Sequence, residues 1–250
     1  MGKVLEVKGL SKIYKNGRGV RNISFDVEKG DVFGFLGPNG AGKTTVMKVI
    51  TGLSAAQQGE VKIFGFNIKD QFAKAMAKVG CLIETADAYE YMSAYKNLEL
   101  AARFYPGLKK TRIEEVLENV GLSRFRKEKV GGFSLGMKQR LGLAQAILSE
   151  PEFVILDEPV NGLDIEGMVD IRNTIINLAR EKQTTFFISS HLIHEIELVC
   201  NRIGIIINGE LIKEGRVTEL LTDKYKSLED YYIGQLRGGR GMVPDEQSLC

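Results

Sequence analysis

The run Gly37-Pro38-Asn39-Gly40-Ala41-Gly42-Lys43-Thr44 has residue types and spacing that specify a chemistry: gripping phosphate. Its glycines let the backbone curl until successive N–H groups point inward at anionic oxygens. Apolar Val32-Phe33-Gly34-Phe35-Leu36 precedes it, and Thr45-Val46-Met47-Lys48-Val49-Ile50, with helical spacing, comes after. Strand, glycine-rich loop and helix start in that order also bring a positive dipole end to the same spot. In such a loop Lys43 reaches the β- and γ-phosphates of a nucleotide, and the Thr44 hydroxyl ligates Mg²⁺.

Phe153-Val154-Ile155-Leu156-Asp157-Glu158 is an apolar strand ending in two carboxylates. A strand buried on both faces delivers them at its carboxyl end, where α/β sheets bind ligands. Beside a phosphate loop, Asp157 would hold the Mg²⁺ water shell opposite Thr44, and Glu158 would orient the attacking water. Three weaker signals accompany them. Phe133-Ser134-Leu135-Gly136-Met137-Lys138-Gln139-Arg140 leads into a helix, with Ser134 a good N-cap type that reads equally as an ordinary cap. Asn161-Gly162-Leu163-Asp164 lies just beyond Pro159, and Ser189-Ser190-His191 closes another apolar run. A histidine there could meet a phosphate or simply be a satisfied polar residue.

In this order and spacing the set resembles the nucleotide-binding domain of ATP-binding-cassette transporters, over roughly residues 3–217. The resemblance implies an α/β fold of the phosphate-loop ATPase type. It has a mostly parallel core, an N-terminal antiparallel β subdomain and a helical insertion. It implies ATP and Mg²⁺ as cofactors, with Gly37, Pro38, Asn39, Gly40, Ala41, Gly42, Lys43, Thr44 and Thr45 around the phosphates. Tyr14 matches the aromatic that stacks on adenine. Two copies, identical or paralogous, would pack head to tail. Each ATP then lies between one copy's loop and the other's Ser134 and Gly136, with Asp164 communicating across the dimer. Lys43, Glu158 and His191 become the catalytic groups; Thr44, Asp157 and Glu84 become the metal contacts. The partner is a membrane permease at the cytoplasmic face, seated in a groove between the insertion and the Glu84 loop.

Two departures stand out. The family's Leu-Ser-Gly-Gly-Gln reads Phe133-Ser134-Leu135-Gly136-Met137 here, with Lys138 next. Val79-Gly80-Cys81-Leu82-Ile83-Glu84-Thr85 carries Glu84 where the family has a glutamine that touches the metal or its water and reports to the permease. A carboxylate there adds a formal charge near the metal, unless the two residues are interchangeable. Both departures are similar to the subgroup handling bacitracin and lantibiotic peptides, which favours export.

The elements that must hold these residues are read from periodicity. Residues 3–36 alternate between turn signals at Asn16-Gly17 and Lys29-Gly30, an antiparallel pattern that Gly59–Gly65 extends. From Leu98 to Leu148 the period becomes helical, with Ile113, Val116, Leu117 and Val120 on one face. Strands at Phe153–Leu156, Thr185–Ile188 and Ile203–Ile207 then alternate with helices near 166–180 and 192–199, which argues for a parallel sheet. The domain is expected over 1–217 with its helical subdomain at 85–150. A tail occupies 218–250, amphipathic and helical over 218–236 and disordered from Gly238 to Cys250.

The whole chain bounds the alternatives. It has 250 residues, with 34 Lys plus Arg against 32 Asp plus Glu, so no strong whole-molecule field favours nucleic acid. Cys81, Cys200 and Cys250 lack paired or metal-like spacing, which fits a reducing compartment. No apolar run nears the roughly 20 residues that cross a bilayer. A soluble cassette ATPase working on nucleic acid or ribosomes is the competing class, but this sequence has no second cassette, coiled coil or zinc module. A non-hydrolysing ATP sensor is disfavoured by Glu158 and His191.

Overall fold

The computed structural model describes residues 2–84, 87–222 and 225–238. Strands β1 (Lys3–Ile13) and β2 (Gly19–Glu28) pair antiparallel. Strand β3 (Val32–Leu36) departs from the expected pattern: it leaves this sheet for the core. All five of its residues are buried, and a strand buried on both faces belongs inside a parallel sheet. After helix α1 (Lys43–Ile50), β4 (Gln58–Ile63) returns to β1 and β5 (Phe66–Asn67) ends the antiparallel sheet.

Helix α2 (Phe72–Met76) and strand β6 (Val79–Leu82) precede the insertion, whose helices are α3 (Ala94–Ala102), α4 (Thr111–Asn119) and α5 (Leu135–Ile147). Ile113, Val116, Leu117 and Val120 all face its core, as their spacing requires. Arg112 of α4 ties the insertion down by donating to the Ile147 and Leu148 carbonyls at 2.8 and 3.2 Å, satisfying the last turn of α5.

Beyond it run β7 (Phe153–Asp157), α6 (Ile165–Glu181), β8 (Thr185–Ser190), α7 (Ile193–Val199) and β9 (Arg202–Ile207). Strand β10 (Glu210–Arg216) turns back antiparallel on β9, giving the core order β10-β9-β3-β8-β7-β6. The remaining neighbours are parallel, and their register aligns Leu36 with Ser190, Asp157 with Ser189, and Leu82 with Leu156. One edge of the sheet therefore gathers the ends of β3, β8, β7 and β6.

Two features join the sheets. Phe25 of β2 stacks on Phe33 and Phe35 of β3 and Phe187 of β8, with centroids 5.4–5.6 Å apart. Arg202 bonds Asp31 at 2.8 Å and Glu214 at 2.5 Å and lies over the Phe33 ring. The helical tail consists of two helices, α8 (Val217–Leu220) and α9 (Leu228–Gly238). A Thr222–Tyr225 bridge and Ser227, which accepts from the Asp230 N–H, interrupt the expected run. Residues 239–250, where disorder is expected, and Cys250 lie outside the described residues, as does Thr85.

Candidate functional site

The glycine loop joins β3 to α1 at the sheet edge just defined. Gly42 has φ 107, and a Cβ there would sit 2.4 Å from Val20 Cγ1, so only glycine fits. It caps α1 without a side-chain hydrogen bond, leaving the first-turn N–H groups for an anion. Lys43 is buried: its Nζ donates to the Gly37 and Pro38 carbonyls at 2.7 and 3.2 Å and pairs with Glu158 Oε1 at 3.0 Å.

Glu158 directly follows β7 in a left-handed conformation, φ 48. Its Oε2 lies 2.8 Å from His191 Nδ1, and since a carboxylate only accepts, Nδ1 carries the proton. Lys43, Glu158 and His191, drawn from three segments, thus form one polar chain. Ser189 supports it from below. Its Oγ donates to Asp157 Oδ1 at 2.6 Å and accepts from the Glu158 N–H at 3.0 Å. Sequence reasoning passed over Ser189, although it stood in the Ser189-Ser190-His191 run, because only strand register reveals what it faces.

Glu84, two residues past β6 and left-handed at φ 64, bonds Lys48 Nζ at 2.5 Å. That hydrogen bond, with Asp157's carboxylate adding to it, holds the Lys48 pKa above its ordinary value. The extra charge anticipated at Glu84 thus arrives with a partner, and Lys48 is a second residue the sequence did not flag. Tyr14 sits just past the end of β1, half-exposed beneath the Lys12 ammonium. The Ile13–Gly19 pairing brings it toward Val20 and Gly42, beside the loop.

Ser134 and Asp164 sit apart from this chain, exposed. Each caps a helix: Ser134 Oγ accepts from Met137 N at 3.2 Å, and Asp164 Oδ1 from Gly167 N at 2.9 Å. Their two turns abut, since a Cβ on Gly162 would meet Leu135 Cδ2 at 3.1 Å and one on Gly136 would meet Leu163 Cδ2 at 3.8 Å. Among the described residues the Asn161 N–H donates to the Glu158 carbonyl at 3.1 Å, tying the Asp164 turn to that backbone, while no side-chain hydrogen bond or ion pair joins either turn to the Lys43, Glu158 and His191 side chains.

An α/β core with such a loop, two carboxylates at a neighbouring strand end and a histidine beyond the next defines a phosphate-loop nucleotide hydrolase. Residues 20–161 match the ABC transporter family, and the chain belongs to it. It is 43% identical over 220 residues to the bacitracin transport ATP-binding protein BcrA of Enterococcus faecalis, covering 88% of this chain and 71% of that protein. It is 35% identical over 233 residues to the lantibiotic transport ATP-binding protein SrtF of Streptococcus pyogenes, covering 93% and 97%. Among solved structures it resembles an ATP-binding subunit of an ABC transporter, at 29% identity and TM-score 0.81 over 93% of this chain and 99% of that one. It also resembles a dimeric ATP-binding cassette in a post-hydrolysis state with ADP and Pi, at 25% identity and TM-score 0.76 over 85% and 98%. The chain is an ATP-binding, ATP-hydrolysing subunit of an ABC transporter. No described helix is long and apolar enough to cross a membrane.

Proposed function

We propose that this subunit, on the cytoplasmic face of a membrane, powers export of an antimicrobial peptide or similar amphipathic compound through its permease. Relatives named for bacitracin transport, lantibiotic transport and linearmycin resistance support that cargo class. The observation that carries the mechanism is the Lys43–Glu158–His191 chain, with contacts of 3.0 and 2.8 Å.

In this reading the loop N–H groups of Gly37–Thr45 wrap the phosphates, and Lys43 neutralises the γ-phosphate. Glu158 orients and polarises water, and His191 holds the reacting phosphate on the other side. Tyr14 stacks on the adenine. Ser134 and Gly136 of a second copy close over the same nucleotide, since neither surface alone neutralises a triphosphate, and Asp164 meets its counterpart copy across the joint.

Thr44 and Asp157 offer a hydroxyl and a carboxylate, the hard oxygen set that suits Mg²⁺ with phosphate oxygens and waters. The Ser189 bond at Oδ1 orients Asp157 for that task. Bound there, Mg²⁺ would neutralise charge developing on the phosphates. In this reading Glu84, compensated by Lys48, meets the metal's water shell and reports to the permease.

For the permease helix, the supporting feature is a groove lined by Cys81, Tyr89, Leu100, Phe104, Tyr105 and Gln145, between β6 and the insertion. Phe104 is 80% exposed there. The deciding experiment is Glu158→Gln. The purified variant should bind ATP, dimerise and cease turning over. Normal steady-state hydrolysis would remove Glu158 from its role, and a monomer under saturating ATP and Mg²⁺ would remove the shared-nucleotide arrangement.

A further inference from the structure

An ion pair outside the chain of reacting groups ties together the two helices that leave the site. Arg172 of α6 donates from Nε to Glu195 Oε2 at 3.1 Å and from Nη2 to Glu195 Oε1 at 2.9 Å. The side chains are only 21% and 13% exposed. A two-point guanidinium–carboxylate grip fixes orientation as well as distance. Its location gives it meaning. Helix α6 is capped by Asp164, six residues beyond Glu158, and α7 starts at Ile193, two beyond His191, with Glu195 in its first turn.

The pair lines the same small pocket as Pro159, Val160, Ser190 and Ile196. Pro159 comes directly after Glu158 and Ser190 directly before His191, so Arg172 and Glu195 lie behind the backbone carrying both groups. Helix α7 depends on such support. It has seven residues and no N-terminal side-chain cap, too short to hold itself. Its middle rests on β3 at Gly34, where an added Cβ would lie 2.7 Å from Ile196 Cγ2. Glu197 receives the Leu228 N–H of α9 at 2.9 Å. Arg172 holds the turn adjoining His191.

We propose that Arg172 is a positioning residue for ATP hydrolysis: by gripping Glu195 it fixes the first turn of α7, and with it the 2.8 Å contact between His191 Nδ1 and Glu158 Oε2. The proposal rests on the roles given above to Glu158 and His191. It also makes the Asn161–Asp164 turn and His191 move as one, because the same helix pair carries both.

The test uses the full chain in four forms: wild type, Arg172→Lys, Arg172→Met, and the charge swap Arg172→Glu with Glu195→Arg. Each is measured for ATP turnover, for half-saturation by ATP and for the imidazole NMR signals. The chain has two histidines, so a His194→Gln variant assigns both rings. Arg172→Met should lower kcat roughly ten- to a hundred-fold, the scale expected for a misplacement of about 1 Å. Half-saturation should stay within about twofold, because phosphate binding does not use this pair. His191 signals should shift, and so should those of His194, which lies beside Glu195 in the released turn.

Lysine, keeping one charge but not the fork, should fall between wild type and methionine, and the charge swap should recover part of the loss. Wild-type turnover with unmoved His191 signals in Arg172→Met overturns the proposal. So does equal loss of affinity and turnover, which marks a general structural role. If the methionine variant does not fold, undiminished turnover in Arg172→Lys overturns it instead. Failure of the wild type to bind ATP would sink the functional reading itself, a separate result.

Discussion

Replacing Ser189 by alanine probes how strand register builds the site. The Ser189 hydroxyl is fully buried, donates to Asp157 Oδ1 at 2.6 Å and accepts from the Glu158 N–H at 3.0 Å. Alanine leaves a buried carboxylate oxygen without that donor and a backbone N–H without that acceptor. A hydrogen bond to a charged group contributes about 1.5–3 kcal/mol, and an orphaned buried donor costs about 1–3 kcal/mol. Glu158 also holds a left-handed φ of 48, which surrounding contacts must enforce. Its bond to Ser189 is one of them, so relaxation at Glu158 returns part of the loss.

The net destabilisation should be about 2–4 kcal/mol. For a chain of this size that lowers Tm by about 5–15 °C. Ser190→Ala is the internal control, since the neighbouring hydroxyl accepts from the Leu192 N–H at 2.9 Å and its loss should cost about 1 kcal/mol. Calorimetry and urea unfolding monitored by circular dichroism give the stabilities, as the sequence has no tryptophan. Turnover should fall roughly ten- to a hundred-fold, because Asp157 and Glu158 lose their common brace. Ser189→Ala matching Ser190→Ala in stability, with wild-type turnover, would refute the reasoning.

Arg202→Met should cost about 3 kcal/mol, because it strands the buried Asp31 carboxylate while Glu214 and Asp26 can turn toward water. Burial opposes the Arg202 charge, yet Asp31 and Glu214 hold its pKa above the usual value. A shift in the urea midpoint worth under about 1 kcal/mol would count against a structural role for the cluster. Lys48→Met should reveal a flat contribution from the Lys48–Glu84 bond across about pH 6–9. The lysine pKa is raised above 10.5 on folding, so its stabilisation is complete below that value and is lost only as pH rises beyond it. A wild-type-minus-variant stability that falls away between about pH 6 and 9 would contradict this sign.

Much of the site could be read locally, because it consists of short contiguous runs with strong backbone demands. Gly42 must be glycine at φ 107, and an apolar strand such as Phe153–Leu156 can present only the residues at its carboxyl end. The helices expected near 166–180 and 192–199 occupy 165–181 and 193–199 because their apolar periods are local, α6 adding a local cap at Asp164. The features that escaped are long-range. Nothing near Ser189 tells that it aligns with Asp157, and nothing near Arg172, Lys48 or Arg202 names partners 23, 36 or 171 residues away. The departure of β3 from the antiparallel sheet also escaped, since Phe33 and Phe35 fit the alternating pattern until the sheet order is known. The turn before Leu228 that divides the helical tail expected over 218–236 also escaped, because apolar spacing alone does not register it.

The four phenylalanines joining the sheets have a mechanical consequence. Phe25 belongs to the sheet that ends near Tyr14, while Phe33 and Phe35 belong to the strand that launches the glycine loop. Because interlocked rings resist sliding, the end of β1 and the glycine loop keep a set offset, like the jaws of a gauge.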